Sequence, residues 1–321
     1  MPSCIIIGAG ITGLTAASTL QQNGWNVTVL DKGRGVGGRM ATRRLANARA
    51  DHGAQYFTAR TAEFQQFVSA LTEVGIVKQW ALQETELSDI SFHHPRFVGV
   101  EGMSSIAKYM AQSLNVQTGQ RAIHISGDEN GCIVLTESGN AYEADTLLLT
   151  LPAPQALVLL NDSYLLSAAE SSVFESIEYA PCIAVMALLK GNSHIPTPGI
   201  LKFGQGPVAW VADNFQKGIS ETTSITIHAS AAFSKQHLEE DLTRTGELLI
   251  DSLSEWIPKA QIESFQVHRW RYSLAEKSYP KPYYVCKTPF SLLMGGDGFG
   301  QGNVEGAFQS GRQMANFLLK F

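Results

Sequence analysis

The chain has 321 residues, 44% hydrophobic and 17% charged, with a net charge of −5 and a pI near 5.9. That length suits two domains, or one large one, with an ample core. The acidic balance without a basic stripe argues against a nucleic-acid partner, and no run reaches the roughly 18 apolar residues of a membrane span.

The first elements form a βαβ pattern. Residues 4–7 are a short apolar strand that runs into Gly8-Ala9-Gly10-Ile11-Thr12-Gly13, followed by an apolar helix over 14–22. A second strand over 25–30 ends in Asp31, 18 residues past Gly13, the spacing expected of an acid that takes ribose hydroxyls. Gly8 permits the tight turn, Gly10 the approach of a pyrophosphate, and Gly13 close helix–strand packing. Asp31 would repel a 2′-phosphate, so NADP is not expected here. The N-terminal apolar stretch 5–17 lacks a positive flank, so it is not read as a signal peptide. The segment Asp31-Lys32-Gly33-Arg34-Gly35-Val36-Gly37-Gly38-Arg39-Met40 adds glycines and an arginine that a plain NAD dehydrogenase does not need. In a flavoprotein, Gly37-Gly38 would lie against the cofactor and Arg39 would offer phosphate a bidentate fork. The competing reading is a solvated basic loop, since Arg34, Arg39, Arg43 and Arg44 cluster there.

Phe64, Phe67, Val68 and Leu71 then mark an amphipathic helix, and Ile106, Tyr109, Met110 and Leu114 another. Residues 116–126 and 131–137 read as paired strands around the turn 127–130. Residues 146–151 are a buried parallel strand closing at Pro152. From about residue 163 the texture becomes β-rich, with short strands over 182–189, 208–212 and 224–229. One long helix through Leu238, Leu242, Leu249, Leu253 and Trp256 follows, then a strand over 264–271. The last part returns to the first domain through a strand over 291–294 and a helix over 304–320. The fold class is α/β, a Rossmann-type FAD-binding domain with an inserted, mainly antiparallel β substrate domain. The cofactor domain is expected to comprise 1–60, 97–160 and 285–321, and the substrate domain 61–96 and 161–284.

Just before the last helix, Gly295-Gly296-Asp297-Gly298-Phe299-Gly300-Gln301-Gly302 forms a second glycine-rich turn. Asp297 reads either as a capping acid for that helix or as a ligand to the cofactor. A helix opening at Asn303-Val304 can face the negative charge of a reduced flavin. Two such turns, near the two ends of the chain, argue for one large dinucleotide between them. The cysteines Cys4, Cys132, Cys182 and Cys286 are widely spaced with no C-x-x-C, which weighs against a redox dithiol and suits a reducing, cytoplasmic compartment. His93-His94, His237 and His268 show no metal-ligand spacing, so no metal is expected.

These segments resemble the renalase family and its bacterial relatives, within the flavin amine oxidase superfamily. The resemblance is carried by the residues already quoted together with Asp51-His52-Gly53-Ala54-Gln55-Tyr56, Gly102-Met103-Ser104-Ser105-Ile106, Leu149-Thr150-Leu151-Pro152-Ala153-Pro154, Ile227-His228-Ala229, Trp210-Val211-Ala212-Asp213-Asn214 and His268-Arg269-Trp270-Arg271-Tyr272. It implies a p-hydroxybenzoate-hydroxylase-like architecture with FAD bound non-covalently. Cofactor contacts are expected at Gly8, Gly10, Ile11, Thr12, Gly13, Asp31, Lys32, Gly38, Arg39, Met40, Ala54, Gln55, Ile123, Gly296, Asp297, Asn303 and Val304. It also implies oxidation of 2- and 6-dihydro isomers of NAD(P)H to NAD(P)⁺, with O₂ reduced to hydrogen peroxide, by a monomer or weak dimer. Gln55, Tyr56, Asn214, His228, Trp270 and Arg271 are the expected substrate shell; His228 and Trp270 could equally be core residues, and Arg271 a surface charge. The alternatives are an amine oxidase, a flavin monooxygenase, and a non-catalytic flavin-binding sensor module.

Overall fold

The computed structural model describes residues 1–80 and 94–320, and His93 lies outside them. The chain divides into two compact units, Met1–Gly38 with Ala107–Glu178 and Ala275–Phe321, and Arg39–Ile106 with Tyr179–Leu274.

The first unit is built on a six-stranded sheet in the order Tyr283–Val285, Ser291–Gly295, Thr146–Leu149, Ser3–Ile7, Asn26–Asp31, Asn115–Thr118. All its pairings are parallel except that of the Tyr283–Val285 edge strand. The central strands are apolar on both faces, as a sheet covered on both sides requires. Helices Ile11–Gln22 and Val304–Leu318 pack on each other, and Leu14, Leu20, Met314 and Leu318 share a core with Ile6, Val29, Leu148 and Leu293. The close approach depends on a glycine, because a side chain at Gly311 would strike the backbone carbonyl of Thr12. A separate antiparallel sheet holds Ala122–Asp128, Gly131–Thr136 and Ala141–Ala144. The expected strand over 116–126 is therefore two strands in two sheets. Gly119, at φ +69°, turns the chain between them. Helices Ala153–Asp162 and Ala168–Glu175 follow Pro152, where no helix is expected from the sequence.

The second unit has a five-stranded sheet in the order Ile200–Lys202, Val208–Asp213, Ser224–Ala229, Glu178–Leu189, Ile262–Lys277. Two ribbons accompany it, Thr42–Leu45 with Ala48–Asp51 and Val77–Trp80 with Arg96–Gly99. Helix Leu242–Asp251 packs Leu249 and Ile250 against Ile183, Val185, Ile225 and Ile227. The long helix expected over 238–256 is the shorter Leu242–Asp251, which Asp241 starts by accepting from the Arg244 amide; a separate helix, Ala231–Gln236, precedes it. The strand expected over 264–271 runs from Ile262 to Lys277.

The unit boundaries also differ from the expected domains. Residues 39–60 belong with the second unit because Asp51 bonds to Lys217, Asn214 and Thr226. Residues 97–106 join it through the Phe57–Phe97 bridge and the ribbon at Val77–Trp80. Residues 161–178 belong with the first unit, where Ser163 accepts from the Ile125 amide and Glu170 from that of Lys287. Residues 275–284 follow through Tyr279, which exchanges backbone bonds with Gly298 and Gly300.

Candidate active site

In the first unit the N-terminal turn is shaped to receive a phosphate. Gly8 has φ +115°, and a side chain at Gly13 would strike Gly8 O, so neither position admits another residue without movement. Helix Ile11–Gln22 starts at Gly10 with no side-chain cap among the described residues, which leaves its first amides for a ligand. A Cβ at Gly10 would have no described atom within 4 Å. At Gly38 and Gly296 it would meet single backbone atoms at 3.7 and 4.0 Å. These three glycines line a cradle with room for a cofactor. Gly37 N donates to Ala9 O over 2.8 Å, holding the second glycine loop beside the first turn.

Asp31 closes this arrangement. Its Oδ2 accepts from Ala9 N at 2.7 Å and its Oδ1 from Gly33 N at 2.6 Å. Both oxygens keep lone pairs for ribose hydroxyls. Lys32 donates to Gln155 Oε1, and burial, with Arg121 nearby, lowers its pKa. At the other glycine turn, Gly296 N donates to Ser310 Oγ. The last helix is capped by Asn303, whose Oδ1 accepts from Gly306 N at 2.8 Å, so capping falls to Asn303 rather than Asp297. Ile123 is 48% exposed on a strand of the three-stranded sheet.

Several expected cofactor residues lie in the second unit. Ala54 N donates to Arg39 O, which zips Arg39 and the buried Met40 to the segment at Gly53. Arg39 Nη1 donates to the carbonyls of Tyr272 and Ser273, so a fork onto phosphate would require it to change partners.

The chemistry-bearing residues of the second unit gather around Asp51. Its Oδ1 accepts from Thr42 Oγ1 at 2.6 Å and Met103 N at 2.8 Å, and its Oδ2 from Lys217 Nζ at 2.7 Å. Burial lowers the Lys217 pKa, and the Asp51 carboxylate opposes that shift. The Asp51 carbonyl accepts from Thr226 Oγ1 and from Gln55 Nε2, and Gln55 Nε2 also donates to Gly53 O. Asn214 is fully buried, donating to Ser224 O and Thr226 Oγ1 and accepting weakly from Asp51 N.

A histidine cluster adjoins this turn. His52 stacks on Trp270 with ring centroids 5.2 Å apart and meets His268 edge-on at 5.0 Å. Trp270 Nε1 donates to His52 O at 2.7 Å, and His228 Nε2 lies 3.2 Å from the same carbonyl. A carbonyl only accepts, so His228 carries its hydrogen on Nε2 and its lone pair on Nδ1. Burial drives the His52 pKa to about 3 and that of His228 to about 4, and it lowers His268 too. The imidazoles of His52 and His228 are neutral at ordinary pH.

An aromatic group completes the site. Tyr56 lies 5.7 Å from Trp210 and 6.5 Å from Trp80, with the Arg96 guanidinium 4.7 Å over its ring. Lys217 Nζ sits 5.3 Å from the Trp80 ring. Gln55, Tyr56, Asn214, His228 and Trp270 lie in this one group. Arg271 does not, because its exposed guanidinium pairs with Glu239. Sequence reasoning singled out neither Lys217 nor Trp80. Lys217 lies in a turn with no periodicity, whereas Trp80 had a usable signal as a large aromatic after the apolar Val77.

Comparison with known proteins decides the family. A model of the flavin-containing amine oxidoreductases matches residues 64–319, and one of NAD(P)-binding Rossmann-like domains matches residues 6–71. The chain belongs to the flavin-containing amine oxidoreductase family. Within it the chain is renalase-like: renalase of Mus musculus is 28% identical over 345 residues, covering 100% of both chains. Among solved structures, a putrescine oxidase variant superposes with TM-score 0.75 at 15% identity, covering 99% of each chain. Reduced UDP-galactopyranose mutase gives 0.71 at 14% identity, covering 100% of this chain and 96% of the other. These likenesses establish the fold. The protein is a flavin-dependent oxidoreductase, and FAD is its cofactor, for which the open glycine cradle and Asp31 are a suitable seat.

Among the described residues no group of three or more His, Cys, Asp or Glu is placed to hold a metal ion. No helix among them is long and apolar enough to cross a membrane.

Proposed function

We propose that the protein oxidises 2- and 6-dihydro isomers of NAD(P)H to NAD(P)⁺ and passes the electrons to O₂. One proton is taken up and one H₂O₂ formed per NAD(P)H consumed. The observation that carries this reading is the likeness to renalase over the full length of both chains. FAD, bound non-covalently, supplies the hydride acceptor and the route to O₂. The seat proposed for the dinucleotide is the amides at Gly10–Gly13, the carboxylate of Asp31 and the turn at Gly296-Asp297, and the substrate shell proposed is Gln55, Tyr56, Asn214, His228 and Trp270.

The chemistry of that shell agrees. A dihydropyridine releases a hydride without losing a proton, so orientation matters more than a base. Gln55, His228 and Trp270 are neutral hydrogen-bonding groups, and Lys217 is held by Asp51. The cysteines at Cys4, Cys132, Cys182 and Cys286 are free and buried, which suits a reducing, cytoplasmic compartment.

A second reading, oxidation of amines, is favoured by the Tyr56, Trp80 and Trp210 cluster, since aromatic faces attract amines. Stopped-flow flavin reduction by each donor class separates the two.

A further inference from the structure

Three buried polar atoms around Tyr56 have no hydrogen-bond partner among the described residues: Gln55 Oε1 and the indole nitrogens of Trp80 and Trp210. Gln55 and Trp80 are respectively 7% and 5% exposed. Among their neighbours Asp51, Asn214, Lys217 and Thr226 are bonded, while His52 Nδ1 has no partner among the described residues. Nor can the Gln55 amide be turned over. Its Nε2 already donates to Asp51 O at 2.6 Å and Gly53 O at 3.0 Å, and a flip would set oxygen against both carbonyls. Gln55 therefore offers an acceptor, and the two indoles offer donors.

The three side chains are neighbours through Tyr56 and His228. Gln55 precedes Tyr56 and touches His228, Trp210 pairs with His228 across the sheet and tilts against Tyr56, and Trp80 meets Tyr56 edge-on. Native proteins seldom leave such groups unpaired, and a ligand is one way to pair them.

We propose that Gln55 Oε1 and the N–H groups of Trp80 and Trp210 recognise the carboxamide of the nicotinamide ring, with Tyr56 providing a flat neighbour for the ring itself. The inference rests on the dihydronicotinamide reading above. A primary carboxamide supplies an NH₂ donor for the one acceptor and an oxygen with two lone pairs for the two donors. A carboxylate at the same position has no donor and would set negative charge against Gln55 Oε1.

The test compares 6-dihydro NADH with its nicotinic acid counterpart in anaerobic single turnovers of the FAD-loaded enzyme. The apparent Kd should favour the amide by at least about tenfold. Trp80→Phe and Trp210→Phe keep the ring and remove the donor. Each should weaken amide binding about 5- to 30-fold, while the melting temperature without substrate stays level or rises, since an unsatisfied donor has been removed. Equal affinity for amide and acid overturns the proposal, as does unchanged amide binding in both variants. A fall in melting temperature matching the loss of binding assigns the indoles to packing and overturns it too. If no isomer reduces the flavin, the oxidase reading fails on its own. The carboxamide proposal is then decided by spectral titration of the oxidised holoenzyme and both variants with NAD⁺ and nicotinic acid adenine dinucleotide, with the same criteria.

Discussion

Lys217 Nζ bonds Asp51 Oδ2 over 2.7 Å, with neither side chain exposed to water. The pair fixes the carboxylate of a residue whose own carbonyl positions Gln55 and Thr226. Removing one charge strands the other in a dry site, which costs far more than removing both. Lys217→Met should lose about 3–5 kcal/mol of unfolding free energy. The double variant Asp51→Asn, Lys217→Met should recover a large part of that loss. Urea unfolding of the three proteins checks this; a single variant as stable as the parent contradicts it.

The buried histidines set a pH dependence. In the unfolded chain a histidine titrates near 6.5, whereas His52 and His228 titrate at about 3 and about 4 in the fold. Between these values the unfolded state binds protons that the folded state refuses, so stability falls as pH falls. The contribution is complete above about pH 6.5 and is lost progressively toward pH 4, by up to roughly 1.4 kcal/mol per pH unit for each histidine. Urea midpoints at pH 7.5, 6 and 5 in the parent and in His228→Gln measure it, and the variant should show the shallower slope.

Asp31→Asn removes the charge and leaves an acceptor for only one of the Ala9 and Gly33 amides, which now donate to separate carboxylate oxygens. Charge-assisted bonds are stronger than neutral ones by about 1 kcal/mol each. FAD affinity should therefore fall about 10- to 100-fold with little change in secondary structure. Fluorescence titration of the apoprotein with FAD reads the change, and unaltered affinity would remove Asp31 from the ribose site.

Gly311→Val tests the helix crossing, because the added side chain meets Thr12 O on the helix that begins at the phosphate turn. The variant should lose about 1–3 kcal/mol of stability and bind FAD more weakly. Calorimetry with and without added FAD gives both quantities.

The parts of the molecule that are local in sequence were legible there. Gly8, Gly13 and Asp31 act within one βαβ unit, so their spacing is read directly; the bond from the Ala9 amide to Asp31 was not. The second glycine turn was legible as a break before a helix, yet its cap, Asn303, was not separable from Asp297 by composition. Boundaries failed where a single residue redirects the chain, as Gly119 and Asp241 do. The candidate site was only half legible, since its centre is an ion pair between residues 166 positions apart. Neither Asp51, at a strand end, nor Lys217, in a turn, belongs to a periodic pattern that would announce the other. For Arg271 the two readings, shell residue and surface charge, could not be separated, because strand position does not reveal that Glu239 stands beside it.

The central claim concerns the donor. Anaerobic stopped-flow mixing of the FAD-loaded enzyme with 2- or 6-dihydro NAD(P)H should bleach the flavin rapidly. Admission of air should restore its colour with about one peroxide per NAD(P)⁺ formed, while ordinary 4-dihydro NADH and primary amines reduce it poorly. Faster bleaching by amines would make the protein an amine oxidase, and faster bleaching by 4-dihydro NADH would contradict the account outright.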